Sequence, residues 1–287
     1  MNRINAHNLA CPIDGALLVC HDKQLRCEHG HSFDIARQGY VNLLPVQHKR
    51  SRQPGDSKEM VAARARFLNS GLYEPLASRL ARITSALVPE NRKTSLMDAG
   101  CGEGYYSDTV FKYLEDRGAS SGLSFIGLDI SKPAILEAAK RNRQITWLVG
   151  TNRQPPVTPA SIDIILCVFG FQSFEGFRHI LKPGGRLVLV EPGPDHLKEL
   201  REVIYSEVKK SRPQDLTPVM ETGFSLVDEQ SFQYKTGEIS KHIIADLLLM
   251  TPHFYRTNKA GREAAAHLEV LDLTVDIVFR TLEFQNP

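Results

Sequence analysis

Two periods of apolar residues organise the chain. From Met60 onward they recur three and four apart, at Met60, Ala63 and Phe67 and then at Leu76, Leu80, Ile83 and Leu87. That spacing lays one helical face against a core. From residue 94 the pattern changes. Short apolar runs (SLMDAG, SFIGLDI, ITWLVG, IDIILCVF, GRLVLVE) alternate with amphipathic stretches near 105–117, 132–141, 174–181 and 195–210. The runs predict strands and the stretches predict helices, and their alternation predicts a parallel sheet of βαβ units. Near-continuous apolar strands predict a sheet covered on both faces. After Phe224 two longer runs, FSLVDEQSFQYK and DLTVDIVFRTLEF, flank a helical stretch around 241–250. They predict a late strand pair closing the sheet edge. The first 40 residues follow neither period and are rich in Cys, His and Gly. Residues 45–58, PVQHKRSRQPGDSK, are polar and proline-bounded and predict a loop. The expected organisation is a small module over 1–40, a basic loop and helical linker over 41–92, and an α/β domain over 93–287.

Composition narrows the class. At roughly 150 residues per domain, 287 residues suit one large domain and a smaller one. Thirty-five Lys and Arg against 33 Asp and Glu leave a formal charge of +2, with 24% charged and 42% hydrophobic residues. These are soluble-globular values and argue against global disorder. No run approaches the roughly 20 apolar residues of a membrane span. The opening MNRINAHNLACPIDG lacks the apolar stretch of a secretory signal. Five scattered cysteines (Cys11, Cys20, Cys27, Cys101, Cys167) make no extracellular disulfide framework and predict a reducing, cytoplasmic setting. No repeat of 20 to 50 residues is visible.

The strongest chemical signal is LMDAGCGEGYYSD, residues 96–108. An apolar strand ends in Asp98, Gly100, Gly102 and Gly104 follow, and a helix begins. Glycines at such a bend permit positive φ and close backbone approach by a ligand. The helix start offers free N–H donors. Taken alone, such a turn also suits NAD, FAD or plain packing. The pattern here is Asp-x-Gly-x-Gly-x-Gly, without the dinucleotide-type final glycine, and Asp129 ends the next strand in FIGLDIS. A carboxylate there can accept both hydroxyls of a ribose. Its alternative, capping the next helix, suits Ser131 better. Together these features resemble the class I S-adenosyl-L-methionine (SAM) methyltransferase fold: α/β, Rossmann-like, mostly parallel. In that fold the glycine loop holds the methionyl part and the second acid the ribose. Asn152, after the third strand, stands where the family places a polar adenine contact, although an ordinary turn asparagine fits equally well. The Pro-Gly-Gly turn of LKPGGRLVLVEPG, residues 181–193, also matches that fold.

Cys11, Asp14, Cys27 and His31 stand in a Cys-x2-Asp-x12-Cys-x3-His spacing. With cysteine at the second position this is a tetrahedral zinc pattern of two knuckles, and aspartate can also ligate zinc through oxygen. Cys20, His21 and His29 are nearby substitutes. So small a segment needs a metal or a neighbour to hold it. The alternative is a knuckle that packs dry on the large domain. Beyond it, His48, Lys49, Arg50 and Arg52 cluster between prolines. They suit phosphate contacts, or form a solvated loop.

At this point the whole chain resembles the bacterial 23S rRNA (guanine-N(1)-)-methyltransferase family, its housekeeping branch more than its macrolide and tylosin resistance branch. The resemblance rests on residues 11–31, GYVNLLPVQHKRSR at 39–52, PGDS at 54–57, GCGEGYYS at 100–107, GLDISK at 127–132, PGPDHL at 192–197 and LLLMTPHFYR at 247–256. It implies a structural Zn2+ in an N-terminal RNA-recognition module, SAM as methyl donor and 23S rRNA as substrate, with the target guanine in a hairpin loop. No membrane partner is implied, and a homodimer is left open. It also implies SAM contacts at Tyr73, at Gly102 and Glu103, and at His196, beside Asp98, Gly100, Asp129 and Asn152. RNA contacts are expected at Lys49, Arg50 and Arg52. The chain departs from the family at Asp14, which replaces a zinc cysteine. It departs again at Val168-Phe169-Gly170-Phe171-Gln172-Ser173, which replaces Tyr-Ala-Pro-Cys after the fourth strand.

A guanine N(1) lies on the Watson–Crick edge, so the base must be unpaired or flipped out. Such bases are usually held by aromatic stacking. Phe169, Phe171 and Tyr255 are the candidates, with core packing favoured for Phe169. No general base is identifiable, and Glu175 is only the nearest carboxylate. The competing readings are a SAM methyltransferase of small molecules, which has no use for the zinc module and basic loop, and a non-catalytic RNA-binding relative.

Overall fold

The seven expected apolar runs, with one further strand, pair into an eight-stranded sheet. The structure, a computed structural model, describes residues 4–48, 51, 53–89, 92–120, 122–205, 215–251 and 258–285. Strands β1 (Val19–His21), β2 (Gln24–Arg26) and β3 (Ser32–Asp34) form a small antiparallel sheet in the N-terminal module. The main sheet contains β4 (Tyr40–Asn42), β5 (Thr94–Ala99), β6 (Leu123–Asp129), β7 (Thr146–Val149), β8 (Ile162–Val168), β9 (Leu181–Pro192), β10 (Phe224–Ser240) and β11 (Val270–Phe284). Its order is β10-β11-β9-β8-β5-β6-β7-β4. From β4 to β9 all neighbours are parallel, and β11 pairs antiparallel with both β9 and β10. The sheet reverses direction of growth between β5 and β8, where open α/β sheets bind ligands at the carboxyl ends of the strands.

Strand β4 lies outside the apolar runs identified in the sequence. Its three residues pair with Trp147, Leu148 and Val149 and carry the sheet one strand past β7. The helices are α1 (Lys58–Asn69), α2 (Glu74–Leu87), α3 (Tyr105–Asp116), α4 (Lys132–Arg141), α5 (Phe174–Ile180), α6 (Lys198–Ile204), α7 (Thr217–Met220), α8 (Lys241–Met250) and α9 (Lys259–Ala266). The polar loop ends in Ser57, whose hydroxyl accepts the Met60 N–H and caps α1. Ser131 caps α4 in the same way, through Ala134 N–H. None of the described helices is long and apolar enough to cross a membrane.

Alternate residues of each central strand enter two separate cores. Leu96, Phe125, Leu166 and Val188 pack under α1 to α4, α6 and α8. Met97, Ile126, Ile165 and Leu187 face the other way. Part of that second face is covered by the N-terminal module: Leu9, Leu18 and Leu25 are at most 4% exposed and join the same cluster as Phe177 and Ile180 of α5. Leu9 also forms a bridge with Val157, and Ala10 N–H donates to Pro156 O. The N-terminal module therefore takes the place of part of a helical layer.

Trp147, the single tryptophan of the chain, sets the spacing under the glycine loop. A Cβ on Gly127 would meet its ring at 2.2 Å, and one on Gly104 at 2.8 Å. Gly104 also holds φ at +84° as the residue before α3. The indole N–H is satisfied by Asn142 O at 2.7 Å. Glycine at these two positions lets α3 and β6 close over a full indole.

Candidate functional site

A cavity of about 460 Å3 lies at the carboxyl ends of β5, β6, β7 and β8. Its floor is the glycine loop. Gly100, Gly102 and Gly104 all hold positive φ, and Gly100, Gly102 and Glu103 line the space. Asp129, at the end of β6, faces them. Its Oδ2 accepts the Gly102 N–H at 2.9 Å and its Oδ1 the Ser131 N–H at 2.7 Å. Burial lifts this carboxyl above its ordinary range, and the two N–H donors pull it back. Each oxygen keeps a second lone pair for a ligand.

Asp98 lies beneath the loop, 1% exposed. Its Oδ2 accepts the Ser107 hydroxyl at 2.5 Å, and its Oδ1 is buried with no partner. Burial raises its pKa to about 7; the Ser107 bond opposes the rise and the nearby Asp129 adds to it. Glu103 is also 1% exposed. Its carboxylate pairs with the Arg141 guanidinium at 3.1 Å without a well-aligned hydrogen bond. Burial raises Glu103 as well, against the pull of Arg141 and Arg64.

Tyr73 and His196, expected only from the family resemblance, come together across 123 residues. Tyr73 Oη lies 3.3 Å from His196 Nε2. His196 Nδ1 accepts the Asp276 backbone N–H at 3.3 Å, which leaves the proton on Nε2. Tyr73 lines the cavity, and His196 stands directly behind Tyr73 and Phe169. Asn152 lines it too, donating Nδ2 to Phe171 O at 2.8 Å.

Several cavity residues are assigned no role by the sequence. Pro54, Gly55 and Asp56 form a roof. Gly55 packs so closely that a Cβ would lie 2.8 Å from Ser131 Cβ, and Ser131 Oγ donates to Asp56 O at 2.8 Å. Asp56 pairs with Arg64 of α1, whose Nη2 donates to Met250 O at 3.1 Å. The PGDS string marks a tight turn, but only the fold shows what it covers. Phe169 is a correction: it does not pack in the core. It is 43% exposed, lines the cavity and holds φ at +51°. The β8 strand feeds it outward because its N–H is held by Val190 O at 3.0 Å while Gly170 tucks against Ala99 O. Glu175 is exposed and takes no part in the cavity wall. Lys49, Arg50, Arg52 and Tyr255 lie outside the described residues.

In the N-terminal module, Cys11, Asp14, Cys27 and His31 bring one donor atom each within 4.8 Å of one another. Two tight turns, closed by Gly15 N–H to Cys11 O and Gly30 N–H to Cys27 O, aim the thiols inward. His31 Nδ1 lies 3.6 Å from Cys11 Sγ, 3.4 Å from Cys27 Sγ and 2.8 Å from Asp14 Oδ2. Cys27 Sγ lies 3.5 Å from Asp14 Oδ2. Zinc bonds of about 2.0–2.3 Å give tetrahedral edges of roughly 3.3–3.8 Å. The three separations that involve a thiol fall in that range, and the His31–Asp14 pair, at the 2.8 Å of a hydrogen bond, has to part by about half an ångström to share the ion. Two thiols, an imidazole and a carboxylate are donors that suit zinc. Asp14 is oriented through its other oxygen by Ala16 N–H at 3.0 Å, the largest of the contacts that lower its pKa. His29 also reaches Asp14 Oδ2, at 3.0 Å, as a support on the outer side.

Residues 9–52 match a zinc-ribbon family model described as RlmA, N-terminal, and residues 97–187 match one described as Methyltransferase domain. The chain is 38% identical over 197 residues to a Streptomyces fradiae protein named 23S rRNA (guanine(748)-N(1))-methyltransferase, covering 68% of this chain and 67% of that one. It is 36% identical over 210 residues to a provisionally named 23S rRNA (guanine-N(1)-)-methyltransferase of Micromonospora griseorubida, covering 67% and 68%. A provisionally named relative from Bacillus subtilis (strain 168) is 28% identical over 271 residues, covering 93% and 94%.

Proposed function

The chain belongs to the 23S rRNA (guanine-N(1)-)-methyltransferase family, and from that membership we propose that it transfers a methyl group from SAM to N(1) of an unpaired guanine in a 23S rRNA hairpin loop. The observation that carries the reading is that the glycine loop, Asp129, Asn152 and Tyr73 line one cavity together with the exposed aromatic side chains Phe169 and Phe171. Bound there, SAM supplies an electrophilic methyl group on a sulfonium. The side chains do the rest. Asp129 holds the ribose hydroxyls, the glycine loop offers backbone N–H groups, and the Pro54–Asp56 roof excludes water. Each carboxylate that lines the cavity is engaged: Asp56 with Arg64, Glu103 with Arg141, and Asp129 with two backbone N–H groups. Positioning therefore supplies much of the acceleration. The test is mass mapping of guanines in 23S rRNA incubated with the protein and SAM. A new N(1)-methylguanine is expected, and an unchanged guanine map overturns the reading.

Two further outcomes check the assignment of groups. Asp129→Ala is expected to weaken SAM binding by roughly 1–3 kcal/mol through loss of charge-assisted hydrogen bonds. Calorimetry measures this, with Asp129→Asn, which keeps the shape, as the control. Unchanged affinity would place the ribose elsewhere. Lys49, Arg50 and Arg52 are proposed to neutralise RNA phosphates. Replacing all three by alanine should weaken RNA binding and flatten its salt slope by about two to three units. SAM affinity and the identity of the target guanine should stay unchanged, because phosphate contacts position RNA without reading its sequence. Wild-type affinity and slope in the triple variant would make the segment a solvated linker.

A further inference from the structure

We propose that Phe171, backed by the Arg153 guanidinium, is the platform on which the acceptor guanine stacks; the inference rests on the methyltransferase reading above and deepens it. Phe171 and Arg153 come from different loops, after β8 and after β7, and both line the cavity. Phe171 is 56% exposed. The Arg153 guanidinium lies 4.8 Å from its ring centroid, in cation–π contact.

Three contacts make this pair rigid. Asn152 Nδ2 holds Phe171 O at 2.8 Å. Gly176, in the first turn of α5, lies so close to the Asn152–Arg153 backbone that a Cβ would meet Asn152 O at 2.2 Å. Gly170, next to Phe171, is wedged against Ala99 O, where a Cβ would stand at 2.9 Å. The two loops are thus locked across the cavity mouth, and the ring is presented rather than loose. A preorganised aromatic face with a cation behind it suits a planar, electron-rich purine attached to a phosphate backbone. It also answers an energetic need. An extruded base loses its stacking partners, and an aromatic platform at the cavity mouth restores one. On the inner side Phe169 stacks on His196 with ring centroids 6.0 Å apart, so the two phenylalanines have different tasks.

The experiment is a binding cycle on the full chain saturated with S-adenosylhomocysteine. The probes are the 23S rRNA hairpin bearing the guanine that the unaltered protein methylates, and the same hairpin with an abasic ribose at that position. The unaltered protein should bind the guanine form roughly tenfold or more tightly. In Phe171→Ala that difference should shrink to within about twofold, and Phe171→Trp should restore it. Arg153→Ala should reduce it in part, by releasing the ring. S-adenosylhomocysteine affinity is measured first for each variant so that all are compared at saturation; Phe171 and Arg153 line the same cavity, and the readout is therefore the ratio of guanine to abasic binding, which a change in cofactor affinity alone does not move. If Phe171→Ala weakens both RNAs equally, or neither, the proposal is overturned. If the unaltered protein methylates no 23S rRNA guanine, the functional reading falls and the platform is judged on guanosine 5′-monophosphate against ribose 5-phosphate. Preference for the guanine nucleotide that Phe171→Ala abolishes supports it, and equal binding of both by the unaltered protein overturns it.

Discussion

Stripping zinc from the protein is expected to expose two buried thiols and to loosen one face of the main sheet. Five cysteines are present. Cys20 is exposed, whereas Cys11, Cys27, Cys101 and Cys167 are buried. In the metal-loaded protein a thiol reagent should therefore modify one cysteine quickly. Chelation should raise the count to three, by adding Cys11 and Cys27, and denaturant should raise it to five. The expected energetic effect is large. Structural zinc contributes on the order of 10 kcal/mol of apparent binding energy, and that energy is folding energy where the free donors cannot hold the site together. Here the loss spreads beyond the module, because Leu9, Leu18 and Leu25 share a core with the sheet residues Met97, Ile126 and Leu187. Chelation should thus lower the melting temperature of the whole chain. One zinc per chain by elemental analysis is expected, and Cys27→Ser should reduce it. If chelation changes neither the thiol count nor the melting temperature, the four residues are a dry packing element.

The parts of this molecule legible in its sequence are those whose chemistry is local. Asp98, the three glycines and Asp129 lie at strand ends within one βαβ unit, so spacing alone gathers them at one end of the sheet, with Gly100, Gly102 and Asp129 lining the cavity and Asp98 buried beneath the loop. The metal set is legible for the same reason: Cys11-x2-Asp14 and Cys27-x3-His31 are two short turns, and the four donors converge although Asp14 stands where a cysteine is usual. The roof of the cavity is not legible, since Arg64 finds Met250 O across 186 residues. The same holds for Tyr73 and His196, 123 residues apart, which only the family resemblance identifies. Strand β4 is three residues long and gives periodicity nothing to detect. Phe169 misleads because an aromatic residue just after a buried strand usually points inward. Its positive φ turns it toward the cavity instead, a local strain of the kind that collects at functional sites.

Asp98→Asn is expected to stabilise the ligand-free protein at pH 8 and to weaken its grip on SAM. The wild-type carboxyl titrates near pH 7 in the folded chain because it is buried, against the ordinary 3.8. The folded state therefore holds a proton that the unfolded chain releases near pH 4. Stability from this group is complete below about pH 4, falls as pH rises and levels off above about pH 7. A difference of about three pH units corresponds to roughly 4 kcal/mol. Burial shifts Asp129 and Glu103 in the same direction, so the ligand-free protein should lose stability across this window by more than one group's share. Asparagine cannot ionise, and its side-chain oxygen can still accept the Ser107 hydroxyl. The variant should match the wild type near pH 4 and exceed it at pH 8, as denaturant titrations at the two pH values would show. The wild type tolerates the buried charge because SAM carries an ammonium and a sulfonium, and a carboxylate with a free lone pair on Oδ1 favours both. Asp98→Asn should accordingly bind SAM more weakly, and the deficit should grow between pH 6 and pH 8 as the wild-type carboxyl ionises. A variant that is no more stable at pH 8, with a SAM affinity that tracks the wild type at every pH, would show that Asp98 is already ionised and satisfied in the free protein.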